Sequence, residues 1–241
     1  MLIKILNLVF FAVMIYVNFL ANSLPINAQT TGAISDSYPN LFAPTGLTFS
    51  IWGVIYLLLA VISILFFFDA NKEILQKVSW FFIISSALNS LWIFAWHYEK
   101  FGLSVIIMLL LLASIIIINK RLSGSPTSLF KAGFGIYLGW ICIATVANIT
   151  VWLVSLNWSG FGISNEIWTS LMIAIGLIIT TLSVYKFNNP FIAASVIWAF
   201  IGIAIKQNGN SNTVFISAIV GAVMFAIIVI LYLFRIFIPV S

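Results

Sequence analysis

The side chains that could do chemistry in this chain are few, and most of them are aromatic. Phe49, Trp52, Tyr56 and Ser63 advance by three, four and seven residues. Ser85, Asn89, Trp92 and Trp96 advance by four, three and four, and Tyr137, Trp140, Ala144 and Asn148 by three, four and four. On a helix, such spacings keep each set on one face. Every face then mixes indole or phenol rings with a hydroxyl or a carboxamide. That mixture suits binding better than bond making: rings to pack a flat apolar ligand, and a few polar handles to orient it. The same stripes also suit plain helix packing, with the asparagines as interhelical glue. On either reading Asn89 and Asn148 should turn into a bundle, because a carboxamide facing hydrocarbon is expensive. Three matching faces together favour a pocket.

Signs of water-based catalysis are missing. The sequence has no H-E-x-x-H pair, no glycine-rich phosphate loop and no G-x-S-x-G elbow. His97, the single histidine, ends an apolar run beside Tyr98, Glu99 and Lys100, and reads as a headgroup-level residue rather than a ligand. The one cysteine, Cys142, allows neither an internal disulfide nor a thiolate metal site. Asp36, Asp69, Glu73, Glu99 and Glu166 all fall at run ends or in loops. Ion-coupled pumps keep charged groups in mid-membrane, so this distribution argues against one.

The elements that must carry the stripes follow from composition. The 241 residues are 63% hydrophobic and only 6% charged, with a mean hydropathy of +1.21, whereas soluble domains carry about 25% charged residues. Eight continuous apolar runs are separated by turn residues: 5–20, 47–68, 78–96, 103–118, 132–156, 166–185, 191–205 and 214–238. A span needs about 20 apolar residues, so the runs predict an all-α integral membrane protein of about eight transmembrane helices. Continuous runs, without strict alternation, argue against a β-barrel.

Charge placement supports that count. With eight spans, Lys4, Lys72, Lys77, Lys120, Arg121, Lys131, Lys186 and Arg235 share one side, against Lys100 and Lys206 on the other. Positive residues favour the cytoplasm, so both termini are expected there, in a multi-pass protein of a bacterial inner or plasma membrane. The net charge of +5 is too scattered for a nucleic-acid surface. The one long loop, 21–46, has three prolines (Pro25, Pro39, Pro44) and no Lys or Arg. Its aromatic, proline-stiffened end, 38–46, predicts an ordered cover on the outer face. Lys4, the first apolar stretch and Ile26-Asn27-Ala28 can also be read as a cleavable signal peptide, although the stretch is long for one.

Pro44-Thr-Gly46-Leu47-Thr-Phe49-Ser-Ile-Trp52-Gly-Val-Ile-Tyr56 resembles the P-x-G-W-x-F-x-x-x-W-x-x-L-Y motif of the TspO/translocator protein family, the tryptophan-rich sensory proteins. It is one residue shorter before Trp52, and Leu47 replaces the first tryptophan. Leu88-Asn89-Ser-Leu91-Trp92 is similar to the family's L-N-x-L-W. In the fifth run, Ile136-Tyr137-Leu138-Gly-Trp140-Ile-Cys-Ile143-Ala144-Thr-Val-Ala147-Asn148 is similar to P-Y-L-x-W-x-x-F-A-x-x-L-N, with Ile136, Ile143 and Ala147 at the substituted positions. These motifs occur in the family's order, on the same three stripes.

The resemblance covers residues 1–157, a five-helix membrane bundle, and leaves 158–241 as a three-helix transmembrane extension, so the chain resembles a longer, divergent member. It also implies that the first apolar run is a retained helix. The function implied is binding, sensing or carriage of porphyrin-like tetrapyrroles or lipids in an aromatic pocket closed by the first loop. The ligand-binding residues are then Phe49, Trp52, Tyr56, Asn89, Trp92, Tyr137, Trp140, Ala144 and Asn148. No cofactor is required; haem or another porphyrin is the implied ligand. Light-dependent porphyrin breakdown is a further family role, with Trp52, Trp92 and Trp140 placed for it. The alternative from another class is a small multi-span permease moving another solute. After Asn148 the chain lacks an L/V-x-Y-x-K/R sterol pattern, which lowers the case for a sterol. Ala218, Ala222 and Ala226, with Ser217 and Gly221, form a small-residue face that suits a homodimer or, more readily, packing within the chain.

Overall fold

The computed structural model describes residues 1–23, 26–126 and 128–237, with backbone only for 235–237. Pro25, Ile238 and the Arg235 side chain therefore lie outside the described residues. The apolar runs become helices α1 (Leu2–Asn22), α3 (Ile51–Leu65), α4 (Lys72–His97), α5 (Phe101–Leu122), α6 (Leu129–Ser155), α7 (Asn165–Phe187), α8 (Phe191–Gln207) and α9 (Asn212–Phe237). A short α2 (Thr31–Ser37) lies in the first loop, and no strand occurs among the described residues. Backbone groups in hydrocarbon must be satisfied internally, which long apolar helices do without outside partners. The chain is an all-α integral membrane protein.

Seven segments are long and apolar enough to cross a membrane, α3 together with the 3-10 turn before it as Gly46–Leu65, while α8 has 17 residues. At 1.5 Å per residue α8 is about 25 Å long, the short limit for a span. It nevertheless runs the length of the bundle. Before its first turn, Asn189 Nδ2 donates to Asn119 Oδ1 (3.0 Å) and to the Lys131 carbonyl (2.9 Å). At its other end, Gln207 Nε2 donates to the carbonyl of Leu41 in the first loop, at 3.0 Å.

Small residues let α8 press closely on α6. A Cβ built on Gly139 would lie 2.0 Å from the Ile192 carbonyl oxygen and 2.4 Å from Ser195 Oγ. That hydroxyl donates to the Ile136 carbonyl, at 2.8 Å. The Ala218–Ala222 stripe of α9 is buried within the chain, and a Cβ on Gly221 would meet Phe200 of α8 at 2.8 Å. Close approach of this kind is how helices associate where lipid is as apolar as leucine.

Charge segregates along the bundle. Lys4 pairs with Asp69 at 3.7 Å, Arg121 Nη1 donates to the Lys77 carbonyl at 2.7 Å, and Lys131 Nζ donates to the carbonyls of Ser123 and Asn188, each at 3.1 Å. These groups gather at the end opposite the first loop. Lys206 sits at the loop end, 3.6 Å from Asp36.

Candidate functional site

The first loop folds over one end of the bundle as a cover. Thr30 caps α2, its hydroxyl oxygen accepting from Ala33 N at 3.2 Å. Further on, Asn40 ties a turn by accepting from Ala43 N (2.9 Å) and donating to the Tyr38 carbonyl (3.0 Å).

Two helices pin this cover from opposite sides. On the α4 side His97 is fully buried, with Nδ1 3.0 Å from the Ile26 carbonyl and Nε2 2.9 Å from Thr31 Oγ1. A carbonyl can only accept, so in the neutral ring Nδ1 carries the proton and Nε2 accepts from the threonine. His97 is thus a buried clasp under the cover, at the end of α4 where Tyr98, Glu99 and Lys100 follow. Trp96 Nε1 donates to the Thr31 carbonyl at 3.2 Å, and the Tyr38 hydroxyl donates to Glu99 Oε2 at 2.9 Å. Desolvation, then the Glu99 carboxylate, raise the Tyr38 pKa above its usual value, which keeps the hydroxyl a donor. On the α8 side, Thr45 N donates to the Gly202 carbonyl at 3.3 Å and Trp198 Nε1 to the Thr48 carbonyl at 2.9 Å. Gly202 has no side chain at the crossing, where a Cβ would lie 1.9 Å from Thr48 Oγ1.

Beneath the cover is an inner chamber of about 50 Å³, walled by Phe49, Trp52, Trp92, Trp96, Trp140 and one face of α6: Ile143, Ala144, Ala147, Asn148 and Val151. Thr31, Ser35, Asn40, Ala43 and Pro44 form its roof. It shares Thr31, Phe49, Trp52 and Trp92 with an antechamber of about 360 Å³, which Asn18 and Asn22 of α1, Tyr56 of α3 and Ile93 of α4 also line. The rings are mutually braced. Trp140 meets Phe49 and Trp52 edge-on, each at 6.0 Å between centroids, while Trp52 stacks on Tyr56 at 5.3 Å and Trp92 on Trp96 at 5.6 Å.

Polar groups around the chamber divide into satisfied and unsatisfied. Asn148 accepts from Trp92 Nε1 at 2.8 Å and donates to Ser104 Oγ at 2.8 Å, which joins α4, α5 and α6. Trp140 Nε1 and the Tyr56 hydroxyl are buried with no hydrogen-bond partner among the described residues. A buried unmade hydrogen bond costs about 1–3 kcal/mol, and native proteins hold few of them. Both groups belong to residues that line these cavities.

Of the nine residues expected to bind, Phe49, Trp52, Trp92, Trp140, Ala144 and Asn148 line the inner chamber, and Tyr56 lines the antechamber. Asn89 and Tyr137 line neither. Asn89 Oδ1 accepts from Asn18 Nδ2 at 2.7 Å, and its Nδ2 donates to the Tyr137 hydroxyl at 3.2 Å. The two form a bridge from α1 through α4 to α6, behind the aromatic wall, because α1 supplies a closer partner than any cavity. Ile143, Ala147 and Val151 were missed, although the spacing 140, 144, 147, 151 continues the α6 stripe. The roof residues had no periodic signal to find them by.

Fold and site together define a multi-span membrane protein with an aromatic chamber enclosed at one end by a pinned cover. A family model of TSPO-like proteins matches residues 4–231, so this chain belongs to that family. The match runs through the three helices beyond residue 157 as far as α9. No curated protein and no solved structure matches the chain.

Proposed function

We propose that this protein binds a flat hydrophobic ligand of the porphyrin type in the paired chambers under the cover, as a sensor or carrier. One observation carries the reading: Trp140 is 98% buried in an aromatic box, and its indole N–H has no partner among the described residues. A ligand with an acceptor at its edge satisfies that donor while its plane packs against Trp52 and Phe49. The antechamber lies within the roughly 300–1,000 Å³ usual for ligand pockets, and the inner chamber well below it. The ligand body therefore occupies the antechamber, and its edge reaches inward as Trp52 or the roof shifts.

The test is a titration of the purified full-length protein in detergent with protoporphyrin, followed by tryptophan fluorescence. Saturable quenching that weakens about tenfold in Trp140→Phe is expected, since the phenyl ring keeps the packing and lacks the donor. Equal affinity in Trp140→Phe removes the indole from the reading. Absence of saturable quenching, with solute flux in vesicles, replaces the binder with a permease. The charge segregation further supports a cover on the outer side and both termini in the cytoplasm.

A further inference from the structure

A second cavity lies under the same cover on the other side of α6. Trp140, Ala144 and Asn148 face the inner chamber, while Ile149 and Leu153 of α6 face a slot of about 280 Å³. Its opposite wall is the start of α7, with Trp168 and Met172, and Pro39–Phe42 roofs it. The α6–α7 connection closes the end. Trp168 Nε1 donates to the Gly160 carbonyl at 2.8 Å, and Trp158 packs on Trp168 at 5.3 Å between centroids. Helix α7 packs chiefly on α9 rather than α6, which leaves the wedge between them.

The slot continues into a polar basin of about 390 Å³ through Pro39, Asn40, Leu41 and Asn165, which line both. At the basin Lys206 and Asp36 stand 3.6 Å apart. An apolar slot joined to a basin with one cation and one anion is complementary to a single amphiphile whose head carries both charges. A phosphate reaches Lys206 and an ammonium reaches Asp36, so neither charge is left unmatched. An anionic head instead sets its only charge against Asp36.

We infer that the wedge between α6 and α7 binds one zwitterionic phospholipid, its acyl chain in the slot and its head over the Lys206–Asp36 pair. The site depends on the helices beyond residue 157 and is separate from the chambers on the other face of α6.

The experiment is native mass spectrometry of the delipidated full-length protein, titrated with phosphatidylethanolamine and, separately, with phosphatidylglycerol of identical chains. One phosphatidylethanolamine retained per chain is expected, at least tenfold more tightly than phosphatidylglycerol. Thr150→Phe, which fills the slot from α6, should weaken retention about tenfold while the protoporphyrin titration stays unchanged. Lys206→Gln should remove most of the preference between the two lipids. Met172→Trp fills the slot from α7 and replaces Thr150→Phe should that variant not fold. Equal retention of the two lipids overturns the head assignment, and undiminished retention in the folded filled variant overturns the site.

Discussion

Loosening the cover at α8 is the most direct way to weigh what the added helices contribute. Trp198→Phe removes the donor to the Thr48 carbonyl, and Gln207→Met removes the donor to the Leu41 carbonyl. Met matches Gln in length, while Phe is smaller than Trp and Gln207 also loses its bond from Asn210, so the two lost cover bonds set the lower bound of the effect. Each hydrogen bond contributes about 1 kcal/mol net, so the double variant lowers the free energy of opening the cover by about 2 kcal/mol. At 1.4 kcal/mol per decade, that is about 30-fold. Hydrogen exchange reads it directly. The amides of Ala43 and Thr48 bond within the cover, to Asn40 Oδ1 at 2.9 Å and to the Thr45 carbonyl at 3.0 Å, and exchange only when it opens. Peptides covering 39–50 should exchange about 30-fold faster in the double variant, with α5 unchanged. Lys206→Gln removes an exposed ion pair worth at most about 1 kcal/mol, and should do much less. Unchanged exchange in the double variant refutes the clasp and leaves the cover to α4 and its own turns.

Asn89→Leu leaves the Tyr137 hydroxyl without its donor in the bundle interior, so it should destabilise by about 1–3 kcal/mol. Thermal unfolding should show that loss while porphyrin affinity changes little, because Asn89 lines neither chamber. Gly139→Ala forces a methyl onto the Ile192 carbonyl and should cost at least about 1–3 kcal/mol, seen as a lowered unfolding temperature in detergent. Reporter fusions at both ends should place both termini in the cytoplasm. An external C-terminus would overturn the count of eight crossings.

The long helices were legible because continuous apolar runs broken by turn residues have few other solutions in a membrane. The seven-residue α2 was not, since its signal is little more than the Thr30 cap within a loop. Helical spacing correctly grouped Trp52, Trp92 and Trp140 on inward faces. It also grouped Asn89 and Tyr137 with them, because a period identifies a face and not what the neighbouring helix places against it. Asn18 on α1 decides that question, and nothing local to α4 announces it. The grip of α8 on the cover was equally silent. Gly202 matters only because Thr48 crosses it, and the two are far apart in the chain.

A strap fastened along both edges swings aside only when one row of its bonds is broken. With Ile26, Thr31 and Tyr38 fastened to α4 and its end, and Leu41, Thr45 and Thr48 to α8, a ligand coming straight down the bundle axis from water meets a closed surface. The roomier cavity is flanked by α1, with Asn18 and Asn22, and by α3, with Tyr56, so a sideways route into it runs between those two helices. A molecule taking that route first dissolves in the bilayer, so the concentration that governs loading is its mole fraction in lipid. Apparent affinities should then shift with the lipid-to-protein ratio at constant total ligand, and a more oil-soluble analogue should load faster even where its contacts with the protein are poorer.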